Sequence, residues 1–280
     1  MRTSRINIDY TINSGQVFLW EKFDKNWYGI NGKEIFCIRQ NPFKLSSSTK
    51  KSSDLFRQTD NVEKILKNIS KDEIVRASTK KFQGLRLIRQ NPFQCYISFI
   101  CSSNTNIKNI KQMLQKLCKK FGRQVKFEEK YFFTFPDPQT LANASLRDLL
   151  SCGLGFRAKS VKKASKDVIV KKVDFDHLKK IDYITAKEAL KNVRGIGNKI
   201  ADCILLFSLE KLESFPIDRW TWRILKKYYS EKFELQNKTL TEKKYEEIHE
   251  KIVEYFGPYA GYAQQFLFKM ERDLNQKKWL

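Results

Sequence analysis

The sequence predicts an α+β protein in which a small N-terminal antiparallel β-sheet domain precedes a mainly α-helical domain containing a helix–hairpin–helix motif. Three observations predict it. Aromatic and β-branched residues come in short runs with turn signals over residues 5 to 45, apolar residues recur at helical spacing from residue 54 onward, and VRGIGNKIADC (193–203) sets two glycines between two helical segments. The chain divides into 1–90, a β-rich domain with flanking helices, and 91–280, a helical core with the helix–hairpin–helix at about 186–210.

Asn31-Gly32, between NWYGI and KEIFCI, is the dipeptide that a tight hairpin turn favours, and Ser14-Gly15 is a second turn signal. The polar stretch SSSTKKSSD (46–54) reads as a loop whose Asp54 is placed to cap the first helix. Pro92 suits the first turn of a helix, and CYISFICSS is apolar enough to be buried on most sides before the polar cluster Ser102-Ser103-Asn104. NIKNIKQMLQKLCKKFG (106–122) is an amphipathic helix closed by Gly122. A proline-rich loop, FPDPQ, separates it from ANASLRDLLSC, where Ser145 is an N-cap candidate. Gly153 and Gly155 interrupt the chain before the basic helix FRAKSVKKASKDVI, and further helices are expected at 185–193, 198–210, 218–229, 240–256 and 259–274. RQNPF occurs at 39–43 and at 89–93 in unlike contexts, a coincidence rather than a repeat.

With 41% hydrophobic and 13% aromatic residues over 280 positions, the chain has ample material for a core and is no disordered tail. Lys and Arg total 54 against 31 acidic residues, a net charge of +23 scattered along the chain. A polyanionic partner, most simply nucleic acid, accounts for that balance; a lysine-rich proteome would also produce it, and charge alone does not separate the two. The N-terminus MRTSRINIDY has no apolar targeting core, and the longest apolar run, Cys203 to Phe207, is too short to cross a bilayer. The expectation is a soluble, intracellular monomer with no membrane partner, on the nucleoid in a prokaryote or in the nucleus of a eukaryote. Six widely spread cysteines without a C-x-x-C pair, and only two histidines, build no zinc site and no C-terminal iron–sulfur cluster. They are expected to be reduced and mostly buried, and no cofactor or metal is implied.

Lys199 is the residue that calls for an explanation. A helix start already carries unpaired N–H groups and partial positive charge, so an ammonium there is disfavoured unless the site needs phosphate or a neutral amine. Gly195 and Gly197 make a turn through which backbone N–H groups reach a phosphate closely, without the spacing of a P-loop. An ordinary helical hairpin would read the same way. Asp218, in ESFPIDRWTWRIL, directly precedes another helix; its plain role is an N-cap, and its sharper one is to face Lys199 across a cleft. A hydrophobic wall and a helix N-terminus would push the lysine below its usual value of about 10.4 and leave a nucleophilic neutral fraction.

Gly195-Ile196-Gly197-Asn198-Lys199-Ile200-Ala201-Asp202-Cys203, followed by Pro216-Ile217-Asp218, resembles the helix–hairpin–helix and catalytic aspartate of the DNA glycosylase superfamily, specifically the 8-oxoguanine DNA glycosylase/lyase family. SGQVFLW (14–20), NPFQCYISFICSSNTNI (91–107), LGFRAK (154–159) and GPYAGYAQQFLF (257–268) resemble that family's other blocks in the same order, so the likeness spans nearly the whole chain. It implies a bifunctional base-excision-repair enzyme acting on double-stranded DNA that contains oxidised guanine. Lys199 would attack C1′, displace the base and pass through a Schiff base to β-elimination, with Asp218 supporting the oxocarbenium-like transition state.

The same resemblance assigns the Gly15 carbonyl to the N7 hydrogen that marks 8-oxoguanine, Cys203 and Phe268 to the two faces of the flipped base, and Gln264 to its Watson–Crick edge. Asn104, Phe156 and Arg157 would fill the vacated stack and hold the orphaned cytosine, and Gly195, Gly197 and Trp220 would meet the DNA backbone. Taken singly, each of these is as readily a core, turn or surface residue. Three departures stand out: Phe156 where better-known relatives have tyrosine, Asn109 where they carry a second cytosine-binding arginine, and Trp220 where histidine is familiar. Two alternatives stay open: the same fold acting on another damaged purine, and a non-catalytic DNA-binding module, against which Lys199 and Asp218 count.

Overall fold

The computed structural model describes residues 6–49, 54–235 and 239–275. Residues 50–53, the tip of the expected polar loop, and the first five residues lie outside them. The first element is a helix, α1 (Ile8–Ile12), where a strand was expected from residue 5. Asn7 caps it by accepting from Tyr10 N, and Gln40 accepts from Ile8 N at 2.8 Å while donating to Ile6 O at 2.8 Å. Ile8, Thr11 and Ile12 are buried, the spacing of one helix face, so tertiary packing overrides the β preference of IDYTI.

An antiparallel sheet follows in simple meander order: β1 (Trp20–Phe23), β2 (Asn26–Asn31), β3 (Glu34–Arg39) and β4 (Lys44–Ser47). Asn31 pairs with Glu34, which puts Gly32 in the β2–β3 turn as expected. The sheet's apolar residues, including Trp20, Trp27, Phe36 and Ile38, pack with Ile8, Ile12, Leu55, Phe56 and Ile88 into a core of their own.

Everything else is helical apart from one hairpin. α2 (Val62–Ile69) and α3 (Glu73–Lys81) lead to α4 (Pro92–Cys101) and α5 (Ile107–Phe121). Asn61, not Asp54, caps α2; Asp54 instead accepts from Gln58 N and Thr59 N and pairs with Arg89. The hairpin β5 (Gln124–Phe127) and β6 (Lys130–Phe133) was not expected from the sequence. Its turn, Glu128-Glu129, holds two non-glycine residues at φ +48° and +61°, so no glycine or asparagine marks it.

Then come α6 (Pro138–Asn143), α7 (Leu146–Ser151, capped by Ser145), α8 (Arg157–Ile169), α9 (Phe175–Lys180), α10 (Tyr183–Lys191), α11 (Asn198–Ser208), α12 (Arg219–Tyr228), α13 (Glu242–Phe256) and α14 (Ala260–Leu274). Nearly all of α11 is buried, and it packs on α4 and α10 in the large core that also takes Phe18, Leu19 and the apolar faces of α2 and α3. A charged cluster ties the sheet region to this core: Arg57 meets Glu210 at 2.7 Å, and Arg89 meets Glu210 at 3.1 Å and Asp60 at 3.0 Å. All six cysteines are buried and free. No helix among the described residues is long and apolar enough to cross a membrane.

Candidate active site

The turn between α10 and α11 buries Val193 and Ile196 as its two anchors and leaves Arg194, Gly195 and Gly197 exposed. Gly195 adopts φ +92°, a conformation that L side chains rarely take, which fixes glycine there. The turn therefore offers backbone, rather than side chain, at the start of α11.

Lys199 sits in the first turn of α11, half-buried, with Nζ 3.2 Å from Ser102 Oγ and 5.2 Å from the centroid of Phe99. Cys203 follows four residues later on the same face. Burial pushes its thiol up to about 12, the neighbouring Lys199 ammonium pulls it down, and Asp218 pushes it up again. The nucleophile candidate and the carboxylate thus both lie within electrostatic reach of one buried sulfur. Asp218 caps α12, accepting from Trp220 N at 3.0 Å and Thr221 N at 2.7 Å. Its plain structural role is real, and it leaves the carboxylate half-buried.

A buried polar cluster holds these two helix starts in place. Asp202, wholly buried beside Cys203, accepts from Tyr183 Oη and Tyr245 Oη at 2.6 Å each, from Ser214 Oγ at 3.1 Å and from Lys187 Nζ at 3.2 Å. Tyr245 Oη in turn accepts from Ile217 N at 2.9 Å, and His249 Nε2 accepts from Phe215 N at 3.1 Å. The segment before Asp218 is therefore clamped to α11 and α13 by side chains that no short motif marks. His249 is held neutral, its pKa lowered to about 4 chiefly by burial.

Three of the base-binding candidates, Gly15, Gln264 and Phe268, come together on α14 and the Ser14–Gln16 turn, while Cys203 lies on α11. Gln264, 6% exposed, donates from Nε2 to Thr221 Oγ1 at 3.2 Å, while its Oε1 is buried without a partner. Gln265 Nε2 donates to Ser14 O at 2.7 Å, fastening α14 to the turn. Gly15 stands at φ +90°, and a Cβ there would lie 3.0 Å from Phe268 Cε1. Gln16 locks the turn from behind, donating to Thr11 O and Arg86 O and accepting from Ile88 N at 2.7 Å.

Exposed Asn104 and Phe156 and half-buried Arg157 form a separate group. Phe156 is 68% exposed, and the Arg157 guanidinium stacks 4.3 Å from its centroid. Arg157 Nε donates to Ser103 O at 3.0 Å, and Asn104 projects from a left-handed backbone at φ +49°. Asn109 is exposed and turns back to Thr105 Oγ1 at 3.2 Å. Trp220 is half-buried with the Arg223 guanidinium 4.7 Å over its ring. Ser102, Phe99 and Thr221 are site residues that the sequence did not single out; only their positions beside Lys199 and Asp218 in space identify them. Among the described residues no group of three or more His, Cys, Asp or Glu side chains could hold a metal.

Comparison with known proteins adds three findings. The family described as HhH-GPD superfamily base excision DNA repair protein matches residues 97–251, and the N-terminal domain of 8-oxoguanine DNA glycosylase matches residues 1–96. The chain is 30% identical over 289 aligned positions to the N-glycosylase/DNA lyase OGG1 of Arabidopsis thaliana, covering 96% of this chain and 78% of that one. It is also 32% identical over 218 positions to the N-glycosylase/DNA lyase of Saccharomyces cerevisiae, covering 68% of this chain and 57% of the yeast protein. Among solved structures, it is similar to the Clostridium acetobutylicum 8-oxoguanine glycosylase/lyase in complex with double-stranded DNA containing cytosine opposite 8-oxoguanine. The TM-score is 0.88 at 26% identity, over 97% of this chain and 93% of that one.

Proposed function

The chain belongs to the 8-oxoguanine DNA glycosylase family of the HhH-GPD superfamily, and from that membership we propose how its own residues carry out base excision and strand cleavage. It is a DNA N-glycosylase with DNA lyase activity that removes 8-oxoguanine from duplex DNA. The observation that carries the residue assignment is the placing of Lys199 and Asp218 at the first turns of two helices, both within electrostatic reach of Cys203.

Lys199 is the nucleophile. The lone pair of its amine forms a bond to C1′ as the C1′–N9 bond breaks; the electron pair of that bond leaves with the base, which takes up the proton the nitrogen gives up. Asp218 stabilises the positive charge that builds on the sugar ring in this step. Ring opening gives an imine between Lys199 and C1′; loss of a C2′ proton then expels the 3′ phosphate and nicks the strand. The base is held beforehand by Gln264, whose unpartnered Oε1 is an acceptor suited to the N–H groups of a guanine Watson–Crick edge. Phe268 and Cys203 flank it, and the Gly15 carbonyl takes the N7 hydrogen. Asn104, Phe156 and Arg157 occupy the gap left in the duplex, while Gly195, Gly197 and Trp220 face the backbone phosphates. A monomer suffices for this reaction, since one chain supplies the proposed nucleophile, carboxylate and base-binding residues.

The test is borohydride trapping on a duplex with 8-oxoguanine opposite cytosine, run for wild type and Lys199→Gln beside an undamaged duplex. A cross-link is expected only for wild type on the lesion. Tight binding without a cross-link would overturn the lysine mechanism and favour a non-catalytic binding module.

A further inference from the structure

One face of α14 carries more than the base-binding pair. Gln264, Phe268 and Arg272 recur at every fourth position, so they form one stripe with neighbours about 6 Å apart along the axis. Gln264 marks the Asp218 end of that stripe through its bond to Thr221. Arg272 marks the Gly15 end: Nη1 donates to Asn13 O at 3.3 Å and lies 3.2 Å from where a Cβ on Gly15 would stand. Phe268 lies between the two.

The charge at that end is only partly compensated. Burial holds the Arg272 pKa below its usual value although Asp273 pulls it up, and burial together with Arg272 itself does the same to Lys111 on α5 against the pull of Glu21. Among the described residues, no carboxylate lies within ion-pair distance of either cation. The nearest in sequence, Asp273, is engaged by Lys269 at 2.5 Å. Two half-buried like charges with no carboxylate in direct contact cost stability, and an acceptor that arrives with the substrate would offset that cost.

Resting on the 8-oxoguanine reading above, we propose that Arg272 is a specificity-determining residue that donates to the C8 oxygen of the flipped base, beside the Gly15 carbonyl that accepts from N7. A purine with its Watson–Crick edge on Gln264 and its face on Phe268 directs its five-membered ring, and so C8, toward Arg272. The lesion presents there an N–H next to a carbonyl oxygen; a carbonyl next to a guanidinium is the complementary pair. Guanine presents a C–H and a bare N7 lone pair to the same groups and satisfies neither.

The test compares single-turnover release of 8-oxoguanine with strand cleavage at a preformed abasic site in the same duplex, for wild type, Arg272→Leu and Arg272→Lys. Arg272→Leu is expected to slow base release roughly 10- to 100-fold while abasic cleavage stays within about twofold. Arg272→Lys, which keeps the charge but not the fork, falls between. Equal losses on both substrates, or no loss on either, would overturn the proposal, and the abasic reaction reports whether each variant is folded. A wild-type protein that cleaves abasic DNA but releases no 8-oxoguanine would instead overturn the lesion assignment.

Discussion

The proposed lesion pocket and the proposed duplex-filling group are built on opposite principles. Around the proposed pocket, Gly15, Asp218 and Gln264 are each tied to a second element by a hydrogen bond of their own or of an immediate neighbour, Asp218 through Ile217 N to Tyr245 Oη on α13, and the supports behind them, Gln16, Asp202 and Gln265, are buried. Phe156, by contrast, is two-thirds exposed and rests on Arg157, which bonds the carbonyls of Ser103 and Asn104 rather than their side chains. A group that must discriminate one oxygen and one hydrogen has to be fixed in advance, because an error of a fraction of an ångström forfeits the hydrogen bond. A group that only replaces a missing stacking partner needs bulk and apolar surface. The difference teaches where substitutions will be felt.

The sharpest break of that contrast is Asp218→Asn. Asparagine caps a helix as well as aspartate does, so thermal stability should hold, while single-turnover base release falls roughly 10²- to 10³-fold. A matching loss of stability would mean that capping, not charge, is what the pocket needs from this residue.

A smaller effect comes from the supports behind Asp218. His249 has a folded pKa of about 4 against about 6.5 when unfolded, so the unfolded chain binds the extra proton between those values. The neutral ring therefore contributes its full stability above about pH 6.5 and loses it progressively as the pH falls toward 4, by about 2 kcal/mol at pH 5. His249→Gln retains an acceptor for Phe215 N without the titration, so urea unfolding at pH 7.5 and pH 5 should show a smaller acid loss than in wild type. Identical acid losses would place the titrating group elsewhere.

The smallest effect belongs to the exposed group. Phe156→Ala should leave the melting temperature unchanged and lower kcat/KM on an 8-oxoguanine duplex less than about tenfold, in keeping with the loss of one stacking contact. A fall as large as that of Asp218→Asn would erase the contrast.

The sequence carried the local frame of the candidate site better than the scaffold around it. The glycine turn, the start of α11 at Lys199 and the Asp218 cap of α12 were legible because each is set by neighbouring residues. α4, α5 and the order of the later helices were legible from period and caps. α1 was not, because Ile8 and Ile12 prefer strands until Gln40 and the sheet core draw them into a helical turn. The β5–β6 hairpin was hidden by a turn of two glutamates at positive φ, a strained choice that leaves no turn residue to read. Asp54 looked like a cap, but the demand of Arg89 for carboxylates decided its place. The Asp202 cluster was out of reach for a different reason: Tyr183, Asp202, Tyr245 and His249 span three helices, and only packing brings them together.

The bond from Gln265 to Ser14 joins residues 251 positions apart. Chain order then separates the two halves of the proposed site in time, because the turn, Lys199 and Asp218 are all synthesised before α14, which packs against Gly15. Closing so long a loop is among the slower steps open to a chain of this size. On the proposed assignment, the molecule in biosynthesis thus owns its amine before it owns the helix that would tell one guanine from another.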